Sequence, residues 1–393
     1  MPALDGLRIC DLTQFEAGPS CTELLAFLGA DVVKFEDPKR GDQGRVLGMG
    51  PGDDSMYFLL LNLNKRSVTI NLKSDEGREL FLRMLGSFDV LVENYTLGTM
   101  ERFGLGWDVL HERFPKLIYA SVRGFGDSGP YANHKSFDMV GQAAGGAMSV
   151  NGTPDGPPTR LGLTLGDTGT GLHLAVGILA AYIQRERTGV GQRVECSMQE
   201  AVMNYTRVAM LSHYLSGEPT RRRGNPIKYM SGDAYRCKGG GPDDYAFILA
   251  PSPHMWDGLL KCIGRTDLIG DEKWSSGGWR ASHWDEVHNL IEAWTVDRDK
   301  WTVMEEMQAS GVPASAVFDT GDLLESDHLR ERGMVQTVEY PAGTYDVPGN
   351  PVRLSDSATS YSPAPLLGEH TEEVLRELLG DVDVERLRSD GVV

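Results

Sequence analysis

The first 125 residues alternate between short strand-like and helix-like runs, and that alternation restricts the fold more than any other feature of the chain. "LRICDLT" (7–13) is a short apolar run suited to a buried strand. "CTELLAFLGA" (21–30) spaces Leu24, Leu25, Phe27 and Leu28 along one helical face, and "DVVKFE" (31–36) is strand-like again. The order repeats with "SVTINL" (67–72), "DEGRELFLRMLGSF" (75–88) and "DVLVEN" (89–94), then "MERFGLGWDVLHERF" (100–114) and "LIYASVRGF" (117–125). Strands that recur with helices between them predict a parallel sheet with crossover helices, a doubly wound α/β domain.

Beyond this region, "GLHLAVGILAAYIQRER" (171–187) and "SMQEAVMNYTRVAMLSHYL" (197–215) read as helices. "SGEPTRRRGNP" (216–226) is polar and rich in Gly and Pro, so it reads as a linker. The expected plan is a large Rossmann-like domain at 1–215, a linker at 216–226 and a smaller α/β domain at 227–330. A return segment at 331–393 completes the large domain.

Composition excludes several function classes. The 393 residues carry a net charge of −18, which disfavours nucleic acid, since a phosphate backbone needs a positive field. No run reaches 18 apolar residues, so no membrane span is expected. The N-terminus lacks a basic stretch followed by an apolar one, so no secretory leader is expected. Five scattered cysteines without a CxxC fit buried thiols in a reducing cytoplasm rather than disulfides or zinc. The histidines show no metal spacing, and neither a metal nor a permanently bound cofactor is expected.

Four stretches are candidates for chemistry. The first strand-to-helix turn, "FEAGPSC" (15–21), lacks the GxGxxG of dinucleotide folds, and Glu16 there reads as a turn residue or a site acid. "NKRS" (64–67), Lys73, Arg102 and "HKSFD" (134–138) place basic residues near strand ends, either to hold a polyphosphate or as a solvated face. "CKGGGPDDY" (237–245) offers three glycines, Gly239 to Gly241, for a hairpin turn or an anion-binding nest. In "TLGDTGTGLH" (164–173), Asp167 precedes the long apolar helix and reads as a helix cap or as a nucleophile. The helix N-terminus is expected to keep its carboxylate ionised.

Taken together, "LDGLRICDLTQFEAGPSCTELLAFLGADVVKFE", "NKRSVTINLKSDEGRELFLRML", "DVLVENYTLGTMERFGLGWDVL", "LIYASVRGFGDSGPY", "LGDTGTGLHLAVGILAAYIQRERTGVGQRVECSMQEAV" and "APLLGEHTEEVLREL" resemble the family III CoA-transferases of CaiB/BaiF type. The resemblance runs in family order from residue 4 to about 378 and is weak over 220–330. It implies a CoA-transferase acting on acyl-CoA and a small carboxylic acid, with coenzyme A as substrate and an interlocked homodimer as the assembly. By resemblance Asp167 is the nucleophile, passing through an aspartyl anhydride and an aspartyl-CoA thioester. Phe15, Ala17, Leu72, Lys73, Asn94, Arg102 and Lys135 match CoA-holding positions. Gly240 and Gly241 correspond to a loop that closes over the intermediates, and Glu16 lies in the acid pocket.

Formyl-CoA:oxalate members of the family carry glutamine at the position of Glu16, a tryptophan near Leu47 and a tyrosine at Phe137, while Tyr57 matches. A second carboxylate beside an acid pocket repels oxalate unless it is protonated or paired. These departures favour another small acid, one with a hydroxyl or cationic group. Racemases of the family place a histidine where this chain has Phe137, which cannot transfer a proton. A racemase-like isomerase and a non-catalytic acyl-CoA binder are the alternatives.

Overall fold

The structure is a computed structural model that describes residues 1–48 and 55–393. The chain divides into two compact units. The first comprises 1–151, 157–221 and 330–393; the second comprises 152–156 and 222–329.

The first unit is built on a six-stranded sheet of β1 (Arg8–Asp11), β2 (Asp31–Glu36), β3 (Lys65–Thr69), β4 (Val90–Glu93), β5 (Ile118–Arg123) and β6 (Arg193–Ser197). All neighbours are parallel, in the order β3-β2-β1-β4-β5-β6. The mixed α/β class expected from the alternation is therefore present. β2 keeps the bounds of its run, while several other elements begin or end a few residues away from theirs. The first helix is Ala17–Phe27 rather than 21–30, because Gly18 and Pro19 form its opening turn despite carrying no helical periodicity. The run 197–215 is helical only over Met198–Thr206, then tightens into a 3₁₀ turn and a short second helix.

Both faces of the sheet are covered, as its apolar strands require. On one face Leu12, Phe35, Val68 and Leu91 pack with Phe81 and Met84 of helix Asp75–Leu85 and with Val374 and Leu375 of helix Thr371–Leu379. On the other, Ile9, Val32, Val90 and Ile118 pack with Cys21 and Leu25 of the first helix and with Leu174, Ala175 and Ile178 of the long helix Thr168–Thr188. The C-terminal return is pinned to β3, where the Thr69 amide donates to Thr371 Oγ1 at 3.0 Å and the His370 amide to Ser67 O at 2.9 Å.

The strand order reverses direction between β1 and β4. In such sheets the loops leaving the carboxyl ends of those two strands diverge and open a crevice.

The second unit has an antiparallel sheet of β7 (Gly232–Arg236), β8 (Tyr245–Leu249) and β9 (Ala314–Ala316). Tyr235, Ile248, Trp256, Val287, Ile291 and Met307 form its core. Among the described residues no helix is long and apolar enough to cross a membrane, and no group of His, Cys, Asp and Glu is placed to hold a metal.

Candidate active site

A cavity of about 280 Å³ occupies the crevice at the strand-order reversal. It is lined by Phe15, Glu16 and Ala17 after β1, by Asn94, Tyr95 and Thr96 after β4, by Arg123 and Gly124 at the end of β5, by His134, Lys135 and Phe137, and by Asp167 and Met198. Five expected site residues besides Asp167 thus share one cavity: Phe15, Glu16, Ala17, Asn94 and Lys135.

Asp167 occupies the N-cap position of the long helix, yet its side chain makes no capping hydrogen bond. The turn is tied by other groups instead. Thr170 Oγ1 donates to Gly166 O at 2.5 Å, and the Gly166 amide donates to Asp138 Oδ1 at 2.7 Å. Asp138 is itself held by Gln142 Nε2 at 2.7 Å. The Asp167 carboxylate is buried and lines the cavity, and among the described residues no hydrogen bond or ion pair holds it.

The expected ionisation of Asp167 is corrected by its surroundings. Burial pushes its carboxyl up, and the nearby Glu16 and Asp138 carboxylates add to this, to about 7. Desolvation and two like charges outweigh the partial positive charge of the helix end.

Glu16 is buried at 6% exposure rather than lying on the surface of a turn. It is the N-cap of the first helix. Thr168 Oγ1 donates to its Oε1 at 2.8 Å, and the Tyr57 hydroxyl to its Oε2 at 3.3 Å. The Tyr57 hydroxyl is driven far above its ordinary range, first by burial and then by Glu16 and Asp167, so it remains a donor.

Two helix N-termini therefore meet at the cavity. Their close approach depends on Gly171: a Cβ there would lie 2.3 Å from Ser20 Oγ and 2.6 Å from Ala17 O. The first intrahelical bond of helix Ala17–Phe27 runs from the Ser20 amide to Glu16 O. The amides of Ala17 and Gly18 precede that bond and face out of the helix end, where a helix favours anionic groups.

A buried ion network fixes the loop that carries Glu16. Lys65 Nζ lies 3.1 Å from Asp11 Oδ2, and Lys34 Nζ lies 2.8 Å from Asp42 Oδ2. Lys34 Nζ also donates to Thr13 O at 2.7 Å, and Asp42 Oδ1 accepts from the Phe15 amide at 3.0 Å. These bonds hold Phe15 at φ 62°, a left-handed conformation rare for an aromatic residue. Burial raises the Asp11 carboxyl, but Lys65, Lys34 and the Thr13 and Thr22 hydroxyls outweigh it and hold it well below the usual carboxylate range.

The polyphosphate reading of "NKRS" is corrected here. Lys65 is a buried partner of Asp11, and Arg66 pairs with Asp31 at 2.7 Å and Glu377 at 2.8 Å, so both are committed to the fold. Part of the signal was present in the sequence: a charge inside an apolar strand run needs a buried partner, and Asp11 and Lys34 sit in such runs, whereas Lys65 precedes its run at 67–72.

Leu72, Lys73 and Arg102 are not among the residues lining the Asp167 cavity. Leu72 and Lys73 line a separate pocket of about 120 Å³ with Gln14, Asp37 and Phe103; Lys73 Nζ is exposed and 3.0 Å from Asp37. Arg102 is exposed at the end of helix Thr99–Arg102 and donates to Thr99 Oγ1 at 2.7 Å. Gly240 and Gly241 belong to the second unit, in the turn joining β7 and β8. Gly239 and Gly240 have φ 132° and 83°, and the Gly241 amide donates to Asp244 Oδ2 at 2.7 Å. A hairpin turn is thus what the three glycines form. Leu47 is exposed. Phe137 is 59% exposed and meets Phe15 edge to face, with ring centroids 5.8 Å apart.

Asp138 and Thr168 were not singled out from sequence as partners of the site. Their roles arise from bonds between residues 28 and 152 positions apart, to Gly166 and Glu16, which no local pattern encodes.

Comparison with known proteins gives a consistent result. The family described as CoA-transferase family III matches residues 4–371. A formyl-CoA:oxalate CoA-transferase of Streptomyces coelicolor is 42% identical, the match covering 100% of this chain and 99% of the relative. One of the same name from Rhodopseudomonas palustris (strain HaA2) is 39% identical over 100% of this chain and 97% of its own length. The crystal structure of a CAIB/BAIF family protein from Brucella suis superposes with a TM-score of 0.86 at 30% identity, covering 96% of this chain and 99% of that one.

Proposed function

The chain belongs to CoA-transferase family III, and from that premise we propose that it moves CoA from an acyl-CoA thioester to a small carboxylic acid by covalent catalysis at Asp167. The observation that carries this reading is a buried carboxylate at a helix start, released from capping and facing a cavity at the sheet's ligand-binding end.

In this reading the Asp167 carboxylate attacks the thioester carbonyl. The C–S bond breaks, and CoA leaves as thiolate from a mixed anhydride. The thiolate attacks the aspartyl carbonyl and expels the donor acid, giving an aspartyl-CoA thioester. The acceptor carboxylate then attacks that thioester and releases CoA. CoA finally attacks the acceptor carbonyl of the second anhydride, which returns Asp167 as carboxylate. Water takes no part, and burial of Asp167 supports its exclusion. The outward amides of Ala17 and Gly18 are suited to the oxyanions of the tetrahedral states.

Phe15, Ala17, Asn94 and Lys135, with Leu72 and Lys73 in the loop after β3 and Arg102 in the short helix after β4, are assigned to CoA. Gly240 and Gly241 are assigned to the covering loop; the positive φ of Gly240 supports a bend few other residues adopt. Small carboxylates are the class of acid that the names of the relatives suggest, and which of them this chain admits depends on the groups beside Asp167. A racemase is disfavoured by Phe137, which lines the cavity without a transferable proton.

The interlocked homodimer is part of this proposal. Val176, Val208, Leu211, Tyr214 and Leu215 are apolar and exposed in the single chain, which supports cover by a second copy. Five free cysteines support a cytoplasmic location.

Isotope exchange tests the activity. Labelled free acid should enter the acyl-CoA pool with the native enzyme and not with Asp167→Ala. Exchange retained in the variant contradicts the role of Asp167.

A further inference from the structure

We propose that Glu16 selects the acid, favouring a small monocarboxylate that carries a hydrogen-bond donor and excluding a dicarboxylate. The inference rests on CoA transfer at Asp167.

Glu16 is buried, lines the same cavity as Asp167, and lies at a helix N-terminus, where a negative charge is favoured. Its side-chain partners are two neutral hydroxyls, those of Thr168 and Tyr57. Among the described residues no cation pairs with it. The cationic groups of the lining are committed or screened. Arg123 lies 2.5 Å from Glu93 and 2.7 Å from Asp127. Lys135 is exposed, where solvent and salt weaken its field. His134 stacks on Tyr131 with ring centroids 5.0 Å apart.

The order of covalent steps sharpens the argument. When the acceptor enters, Asp167 is a thioester and carries no charge. Asp138 has both carboxylate oxygens engaged, by the Gly166 amide and Gln142. Glu16 is then the carboxylate that meets the rest of the acceptor. A second carboxylate on that molecule would face Glu16 in a partly buried cavity with no cation paired to either, and like charges so placed are disfavoured. A hydroxyl donates to it and satisfies its remaining lone pairs. Specificity of this kind arises from a repulsive element as much as from an attractive one.

Glycolate and oxalate test this directly, being two-carbon acids that differ by a hydroxymethyl against a carboxylate. With formyl-CoA as donor, kcat/KM for glycolate is expected to exceed that for oxalate at least about 10-fold. Glu16→Gln keeps the shape and an acceptor for Thr168 but removes the charge. It should shift the ratio toward oxalate by about 10- to 100-fold. Tyr57→Phe keeps the charge and should leave the preference with glycolate. A native enzyme that prefers oxalate, a ratio unmoved in Glu16→Gln, or an equal shift in Tyr57→Phe overturns the assignment. Hydroxylamine trapping at Asp167, run in parallel, separates the two levels. An adduct with no change of preference overturns only the role of Glu16, whereas no adduct and no turnover of either acid overturns the reading beneath it as well.

Discussion

Asp11 and Asp167 are both buried carboxylates of the first unit, and they stand in opposite electrostatic surroundings. Asp11 ends β1 and is met by Lys65, with the hydroxyls of Thr13 and Thr22 at 2.5 and 2.6 Å. Among the described residues Asp167 is met by no cation; its charged neighbours there are Glu16 and Asp138. The first is therefore held ionised and the second is held close to half-protonation at neutral pH. A neutralised buried charge locks backbone in place, as the Lys34–Asp42 pair does for Phe15. An un-neutralised one is destabilising for the fold and available for chemistry.

The comparison breaks most decisively at Asp167. Replacement by alanine should lower transfer by roughly 10³-fold or more while CoA binding, measured by calorimetry, changes little. Asp11→Asn should act on folding instead. Removing one partner of a buried pair costs about 3–5 kcal/mol, readable as a lower midpoint in urea.

Asp167→Asn should do the reverse. A carboxyl raised to about 7 in the folded chain, against about 3.9 unfolded, favours the folded state while protonated. That advantage is fully present below about pH 4 and is lost as pH rises through about 7. Above that, ionised Asp167 burdens the fold, and the asparagine variant should be more stable at pH 8 by on the order of 1–3 kcal/mol. For Asp11 the sign is opposite, with stability present at neutral pH and lost on acidification. Equal pH dependence for the two variants would erase the contrast.

The strand and helix alternation was legible because period and length are local properties: β2 occupies 31–36 as the apolar run implies. The parallel order followed from helices between strands. Glu16, Asp167, Phe15, Ala17, Asn94 and Lys135 were legible as a set only through resemblance, since each alone has an ordinary structural reading. The state of Asp167 was not legible. Spacing shows a helix start, which favours ionisation, whereas burial and the two acids at positions 16 and 138 outweigh it. The commitment of Lys65 and Arg66 to ion pairs was hidden for the same reason, their partners being Asp11, Asp31 and Glu377.

Smaller effects sharpen the picture. Gly171→Ala should cost about 1–3 kcal/mol and slow transfer, because the added Cβ presses on Ser20 and Ala17 and moves the two helix starts apart. The rate of the native enzyme should rise with pH through about 7 as Asp167 ionises, and Glu16→Gln should move that limb to lower pH, since one like charge is removed. Lys73→Ala should change stability by less than about 1 kcal/mol, as its pair with Asp37 is exposed. Any effect it has should appear in KM for the acyl-CoA.

The central claim is that Asp167 is left free of structural bonds because it carries the acyl and CoA groups. Intact-protein mass spectrometry after mixing with formyl-CoA, with hydroxylamine trapping and peptide mapping, tests it most directly. The account predicts an adduct of CoA mass that hydroxylamine converts to a hydroxamate at Asp167. An adduct at another residue, or turnover with no covalent species at Asp167, would contradict it.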